Sequence, residues 1–316
     1  MGDWPGPVPG FDCEAPLCFS ATGGWQIMTD IPCPFPLDKI LVCTDDSPAS
    51  QGAVRAAMDL ARACHSRIYL LHVLEYFPYE YAQPDALGMT PVLGPSIFEA
   101  REQLAREHLD RRKQEAAQEG LDLEVRLRTG TPVYSEVLAV AEEIQPQIII
   151  MGRKGKSGLE QLLIGSVTTR VIGHTLHRVL VVPRDAALSF DRLLAASDGS
   201  PAGQAACQTA LDIAGNTGGQ LTVVTASHGE LDPKRAKAIV REVAALAKAR
   251  DIPVIPLTPG GRPEDAIIQV AAAKQTDLII MGSRGRTGLK RLFLGSVAER
   301  VIGQAVCPVL VVKGPE

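Results

Sequence analysis

Aromatic residues are scarce in this 316-residue chain, at 4%, so its cores must be built from Val, Ile, Leu and Ala. No apolar run approaches the roughly 18 residues that a membrane-crossing helix needs, and no membrane partner is expected. A basic excess is missing too: 32 Lys and Arg face 36 Asp and Glu, for a net charge of −4 and a pI near 5.9. That balance removes the broad basic footprint of a general nucleic-acid binder. The seven cysteines, at positions 13, 18, 33, 43, 64, 207 and 307, contain no C-x-x-C and make no even framework. A disulfide scaffold is therefore not expected, a reducing cytoplasm fits, and Cys13, Cys18 and Cys33 read as incidental thiols. Neither a G-x-x-x-x-G-K-[ST] loop nor a G-x-G-x-x-G turn after the first strand occurs. A P-loop is excluded and a Rossmann dinucleotide site is unsupported.

What is present is length for two domains and an internal repeat. Residues 151–182 and 281–312 align without a gap, identical at 17 of 32 positions. The starts also match: DKILVCTDDSPAS from Asp38 and DRLLAASDGSPAG from Asp191. The second copy is shorter because it lacks a counterpart of the Pro- and Tyr-bearing stretch Glu75–Ser96. That stretch follows a strand near the crevice, and we expect it to act as a lid. The division predicted is a Pro/Gly-rich flexible leader over 1–37, a first domain over 38–184, a linker over 185–190 and a second domain over 191–314.

Within each copy, short Val/Ile/Leu runs alternate with helical stretches. In the first copy KILVCT, RIYLLHVL, LEVRLRT, QIIIMG and RVLVV read as strands. In the second they are LLAAS, LTVVTA, PVIPL, DLIIMG and PVLVV. Helices are expected over Pro48–His65, Phe98–Glu119, Val133–Ile144 and Val167–His174, the second of these read as a solvated, charged helix. The alternation predicts an α/β chain of two tandem doubly wound domains, each an open parallel sheet covered by helices on both faces.

In such sheets ligands bind beyond the carboxyl ends of the strands, where strand order reverses. After the fourth strand of the first copy come Gly152, Arg153, Lys154 and Gly155, nine residues, then Gly165-Ser166 opening a helix. The second copy has Gly282, Ser283, Arg284 and Gly285, nine residues, then Gly295-Ser296. Glycines permit close backbone approach, and the helix start offers N–H groups, a hydroxyl and a positive dipole end. Nearby Arg153, Lys154, Lys156, Arg284 and Arg286 supply cations. This is phosphate-cradle chemistry; the competing reading is a tight turn with Ser166 as a helix cap. Asp45 and Asp198 end the first strand of each copy, suited either to a ribose, base or metal contact or to capping the next helix beside Ser47 and Ser200. His174 and His177 have a spacing that suits zinc but no evident partner, so a helix-end or surface role is favoured.

The pattern G-x-x-G-x9-G-S after a fourth strand, with T/S-D-x-S after the first and AVCPVLVV at Ala305–Val312, resembles the universal stress protein family, in tandem from about Asp38 to Lys313. The resemblance implies five strands per domain in the order 3-2-1-4-5, and adenine nucleotide (ATP, AMP or ADP, with Mg²⁺) as ligand. Carried over by position, it implies a first site of Thr44, Asp45, Val73, Met151, Gly152, Gly155, Gly165, Ser166 and Val167. The second would be Ser197, Asp198, Ala226, Met281, Gly282, Gly285, Gly295, Ser296 and Val297. No catalytic residue is assigned. The expected function is a cytoplasmic, ATP-binding stress-response regulator; a slow ATPase or phosphoryl-transfer enzyme, or a nucleotide-free dimerisation scaffold, are the alternatives. The two terminal VLVV strands are expected to pair within the chain, with a homodimer as a further option.

Overall fold

A computed structural model describes residues 17–19, 25–27, 31–75, 95–154, 164–229, 231–286 and 294–314. It divides into residues 1–30 and a body from Ile31 onward. In the first unit β1 (Leu17–Phe19) pairs antiparallel with β2 (Trp25–Ile27). Ile31, Phe35 and Leu37 are buried in the core of the body, because three apolar side chains spaced along an extended stretch have a core to enter.

The first half of the body runs β3 (Lys39–Thr44), α1 (Pro48–Cys64), β4 (Arg67–Leu74), α2 (Pro95–Gln118), β5 (Leu123–Thr129), α3 (Val133–Ile144), β6 (Ile148–Gly152), α4 (Ser166–His174) and β7 (Arg178–Val182). The second repeats it as β8 (Arg192–Ala196), α5 (Pro201–Thr217), β9 (Gln220–Val224), α6 (Pro233–Lys248), β10 (Val254–Leu257), α7 (Pro263–Ala273), β11 (Leu278–Gly282), α8 (Ser296–Gln304) and β12 (Val309–Val312). Local chemistry sets the boundaries. α1 starts with Ser47, whose hydroxyl accepts from Ser50 N at 3.3 Å, followed by Pro48 at its first turn; a fixed φ and a missing N–H suit that place. α5 starts the same way on Ser200 and Pro201. α2 departs from its reading as a solvated helix, since Ala105, His108, Leu109 and Ala116 are buried along one face.

The strands lie in the order β5-β4-β3-β6-β7 and β10-β9-β8-β11-β12, parallel within each half. Each half is therefore 3-2-1-4-5, and its order reverses between the first and fourth strands. Side chains alternate across the sheet: Ile40 and Val42 belong to the core under α1, α2, α5 and α6, while Leu41 belongs to the core under α3, α4, α7 and α8.

The halves join as the paired VLVV runs predict. β7 and β12 run antiparallel with Val179, Leu180 and Val181 opposite Val311, Leu310 and Val309. All six are buried, so two apolar edges become one ten-stranded sheet. Cations cross this seam to helix ends. Arg153 Nη1 donates to the Ala305 carbonyl at 2.8 Å, at the end of α8, and Lys313 Nζ donates to the Ile172 carbonyl in the last turn of α4.

The cysteine reading needs correcting. Cys33 and Cys64 form a disulfide across 31 residues of sequence. An odd total does not prevent two of seven cysteines from pairing, and the anchoring of Phe35 and Leu37 carries Cys33 to the end of α1. Cys43, Cys207 and Cys307 are free.

Lys313 gives the seam a pH signature. Burial, and then the charge of Arg284, lowers its ammonium from an ordinary value of 10.5 to about 8. Between those values the unfolded chain holds a proton that the folded chain releases, so raising pH from about 8 to 10.5 relieves the penalty and adds stability. Lys313→Met should flatten that part of the pH–stability curve, read as the urea midpoint against pH; an unchanged slope would refute the assignment.

Candidate functional site

Two clefts open at the switch points, one beyond β3 and β6 and one beyond β8 and β11. They enclose about 530 Å³ and 660 Å³, within the range of small-ligand sites. The first brings together Thr44, Asp45, Val73, Met151, Gly152, Gly165, Ser166 and Val167. Gly155 lies outside the described residues, as does most of the Glu75–Ser96 stretch. The second brings together Ser197, Asp198, Ala226, Met281, Gly282, Gly285, Gly295, Ser296 and Val297.

The glycines stand where there is no room for a side chain. A Cβ at Gly152 would fall 2.7 Å from the Ala49 carbonyl oxygen, and one at Gly282 would fall 2.8 Å from the carbonyl carbon of Ala202. The chain then folds back on itself through matching bonds: Gly165 N donates to the Arg153 carbonyl at 2.8 Å, and Gly295 N to the Ser283 carbonyl at 2.9 Å. Gly165 and Gly295, rather than the serines, are the N-caps of α4 and α8. Neither helix start receives a side-chain cap, while Ser166 and Ser296 sit exposed in the first turn. Orphan N–H groups and the positive end of the helix dipole thus face each cleft. Lys154 lines the first, and Arg284 and Arg286 line the second.

The side-chain caps of α1 and α5 come from the serines and not from the aspartates. Ser47 and Ser200 cap the helices, while Asp45 Oδ1 and Asp198 Oδ1 accept from the N–H groups of Ser47 and Ser200, each at 3.0 Å. Asp198 does more. Its Oδ2 accepts from Arg286 N at 2.8 Å, and a Cβ at Gly285 would fall 2.6 Å from that oxygen. The carboxylate pins the glycine loop over the cleft, and Gly285 is what allows so close an approach.

Composition reading missed the contribution of α2. His108, 3% exposed, places Nδ1 at 2.6 Å from Asp46 Oδ1 and Nε2 at 3.4 Å from Thr44 Oγ1. Asp46 adopts φ +60°, where the second copy has Gly199 at +78°. That end of the first cleft is lined by Thr44, Asp46 and His108, whereas His228, Gly229 and Leu231 line the second. The signal was the spacing of Ala105, His108, Leu109 and Ala116, which puts the histidine on the buried stripe. His174 and His177 lie at and just beyond the C-terminal end of α4. His174 bonds the Arg170 carbonyl and packs on Tyr134, and no cluster of three metal-ligating side chains exists among the described residues.

The sequence profile of the Universal stress protein family matches this chain twice, over residues 36–183 and 189–313. The chain belongs to that family. A universal stress protein of Mycolicibacterium smegmatis is 30% identical over 291 residues, covering 87% of this chain and 96% of its own. One from Mycobacterium tuberculosis is 24% identical over 310 residues, covering 88% and 95%. Among solved structures, a universal stress protein from Archaeoglobus fulgidus superposes with a TM-score of 0.72 at 25% identity, across 88% of this chain and 97% of that one. The tandem arrangement is thus shared with full-length universal stress proteins. No helix among the described residues is long and apolar enough to cross a membrane.

Because the two strand-end glycines meet backbone atoms, Gly152→Ala and Gly282→Ala should each destabilise the fold by about 1–3 kcal/mol. Denaturant midpoints check this, and losses below a few tenths would show that the turns are slack.

Proposed function

We propose that this universal stress protein binds adenine nucleotide, ATP with Mg²⁺, in the cleft of each domain, and serves as a nucleotide-responsive regulator in the stress response. The observation that carries the reading is the twofold occurrence of an uncapped helix start beside a glycine turn and a cation. Each cleft pairs orphan N–H donors with positive charge, the combination an anionic phosphate chain satisfies. The phosphates would lie against Gly165, Ser166 and Lys154 in the first domain, and against Gly295, Ser296, Arg284 and Gly285 in the second. The nucleoside would extend along Met151 and Asp45 toward Val73, or along Met281 and Asp198 toward Ala226. No three-ligand metal group is built into the described residues, so Mg²⁺ would arrive with the phosphates and keep most of its water.

The arrangement favours holding over turnover. The helix starts supply positioning donors and charge, and no residue is assigned as the water-orienting base that phosphoryl transfer requires.

Calorimetry of the full chain with ATP and Mg²⁺ tests the proposal. Two binding events are expected, one abolished by Gly165→Asp and the other by Gly295→Asp, which place a carboxylate against the phosphate position. Arg284→Ala should weaken the second site roughly 10-fold or more, the usual effect of losing a charge-assisted contact. No heat with the wild-type protein would sink the nucleotide reading, and heat unchanged in the double glycine variant would sink the site assignment. Sustained ADP release that disappears with changes at Asp45 or Asp198 would move the reading to catalysis.

A further inference from the structure

The stretch from Ile31 to Leu37 lies over the junction of the two halves, at the C-terminal ends of α1 and α5. Ile31, Phe35 and Leu37 share one core with Leu60 and Ala61 of α1 and with Leu211 and Ile213 of α5. Its polar ties reach both domains. Ser66 Oγ donates to the Leu37 carbonyl on the first-domain side, and Asn216 Nδ2 donates to the Pro34 carbonyl at 3.0 Å on the second. The Arg178 guanidinium, at the start of β7, lies 4.6 Å above the Phe35 ring. In the middle of this strap stands Cys33, bonded to Cys64 in the last turn of α1.

The free cysteines of the body, Cys43, Cys207 and Cys307, are poor exchange partners. Burial pushes Cys43 up to about 12 and Cys207 and Cys307 each up to about 11, so they hold their protons, and the thiolate is the reactive form. Cys33 and Cys64 are half-buried, beside the exposed Pro32 and His65. A nucleophile can reach them.

We propose that Cys33 and Cys64 form a reversible thiol–disulfide latch that fastens the Ile31–Leu37 strap across the junction of the two domains. The partner in exchange is a small-molecule disulfide. One cysteine thiolate attacks it, forms a mixed disulfide and expels one thiolate. The second cysteine then displaces the other half, closing the Cys33–Cys64 bond. The two cysteine thiols are oxidised, one external disulfide is reduced to two thiols, and the two protons end on those products. Reduction reverses each step. Without the covalent tie the strap is held by its three apolar anchors and two hydrogen bonds, and it opens more often. Both clefts lie at the N-terminal ends of α1 and α5, so the latch governs the strap and leaves the ligand sites intact; it does not depend on the nucleotide reading.

The test equilibrates the full-length protein in buffers of graded oxidised-to-reduced glutathione ratio, traps thiols with a maleimide and maps peptides by mass. Cys33 and Cys64 should lose reactivity together in one two-electron transition and yield a Cys33–Cys64 linked peptide. Amide exchange over 31–37 should be roughly 10-fold or more faster in the reduced protein, and the melting temperature lower by about 5 °C or more. Cys64→Ser should behave as the reduced form at every ratio. Absence of the linked peptide, Cys33 bonded instead to Cys13 or Cys18, or equal exchange over 31–37 in both states would overturn the latch. Should Cys64→Ser fail to fold, the wild-type titration decides alone.

Discussion

Everything in this molecule is arranged around the antiparallel pairing of β7 with β12. A five-stranded parallel domain ends on an apolar edge, and RVLVV or PVLVV left open would template association with other chains. Pairing the two edges satisfies their backbone groups and buries six aliphatic side chains at once. It also dictates orientation. Because strands are parallel within a half and antiparallel across the seam, the two switch points open toward opposite ends of the sheet. Two clefts of similar build therefore face away from each other in one chain.

The seam also links the helices that start at the clefts to the opposite domain. α4 and α8 each begin at the cleft of their own domain and end against a cation from the other. Arg153 follows Gly152 in the first cleft and reaches the Ala305 carbonyl behind α8, while its own carbonyl holds Gly165. Lys313 follows β12 and reaches Ile172 behind α4, with Arg284 close enough to influence its charge. One carbonyl at the C-terminal end of each short helix thus finds its donor in the opposite domain.

Much of this was legible in the sequence because it follows from repeated local rules. Strand–helix alternation, Ser-Pro helix starts and the unbroken aliphatic runs specify a parallel doubly wound sheet, and duplication made the glycine spacing stand out against chance. What escaped was non-local. Parity of cysteines says nothing about which pair proximity selects, and Cys33 meets Cys64 because Phe35 and Leu37 are drawn into a core shared with α5. Composition alone classed α2 as solvated, since its charged residues outnumber the buried stripe on which His108 lies. The helix caps were also shifted by one residue: the glycine, in extended conformation, precedes the helix and leaves the serine in the first turn.

That last shift bears on why the glycine turns are paired with uncapped helices. A serine at the cap position would turn its hydroxyl onto the N–H groups of the first turn and satisfy them internally, as Ser47 and Ser200 do for α1 and α5. Placing glycine there withholds that acceptor and removes the Cβ that would screen the helix start. The two kinds of helix start stand side by side in each domain: a self-satisfied one after the first strand, and an open one facing the cleft. Asp198 illustrates the cost of the open design, since its carboxylate must bind the Arg286 N–H to hold the loop in place over donors that have no partner of their own. The fold keeps these polar groups solvent-accessible in a cleft, where leaving them unsatisfied by the chain is tolerable, and an anion that fits gains the hydrogen bonds that a cap would otherwise have taken.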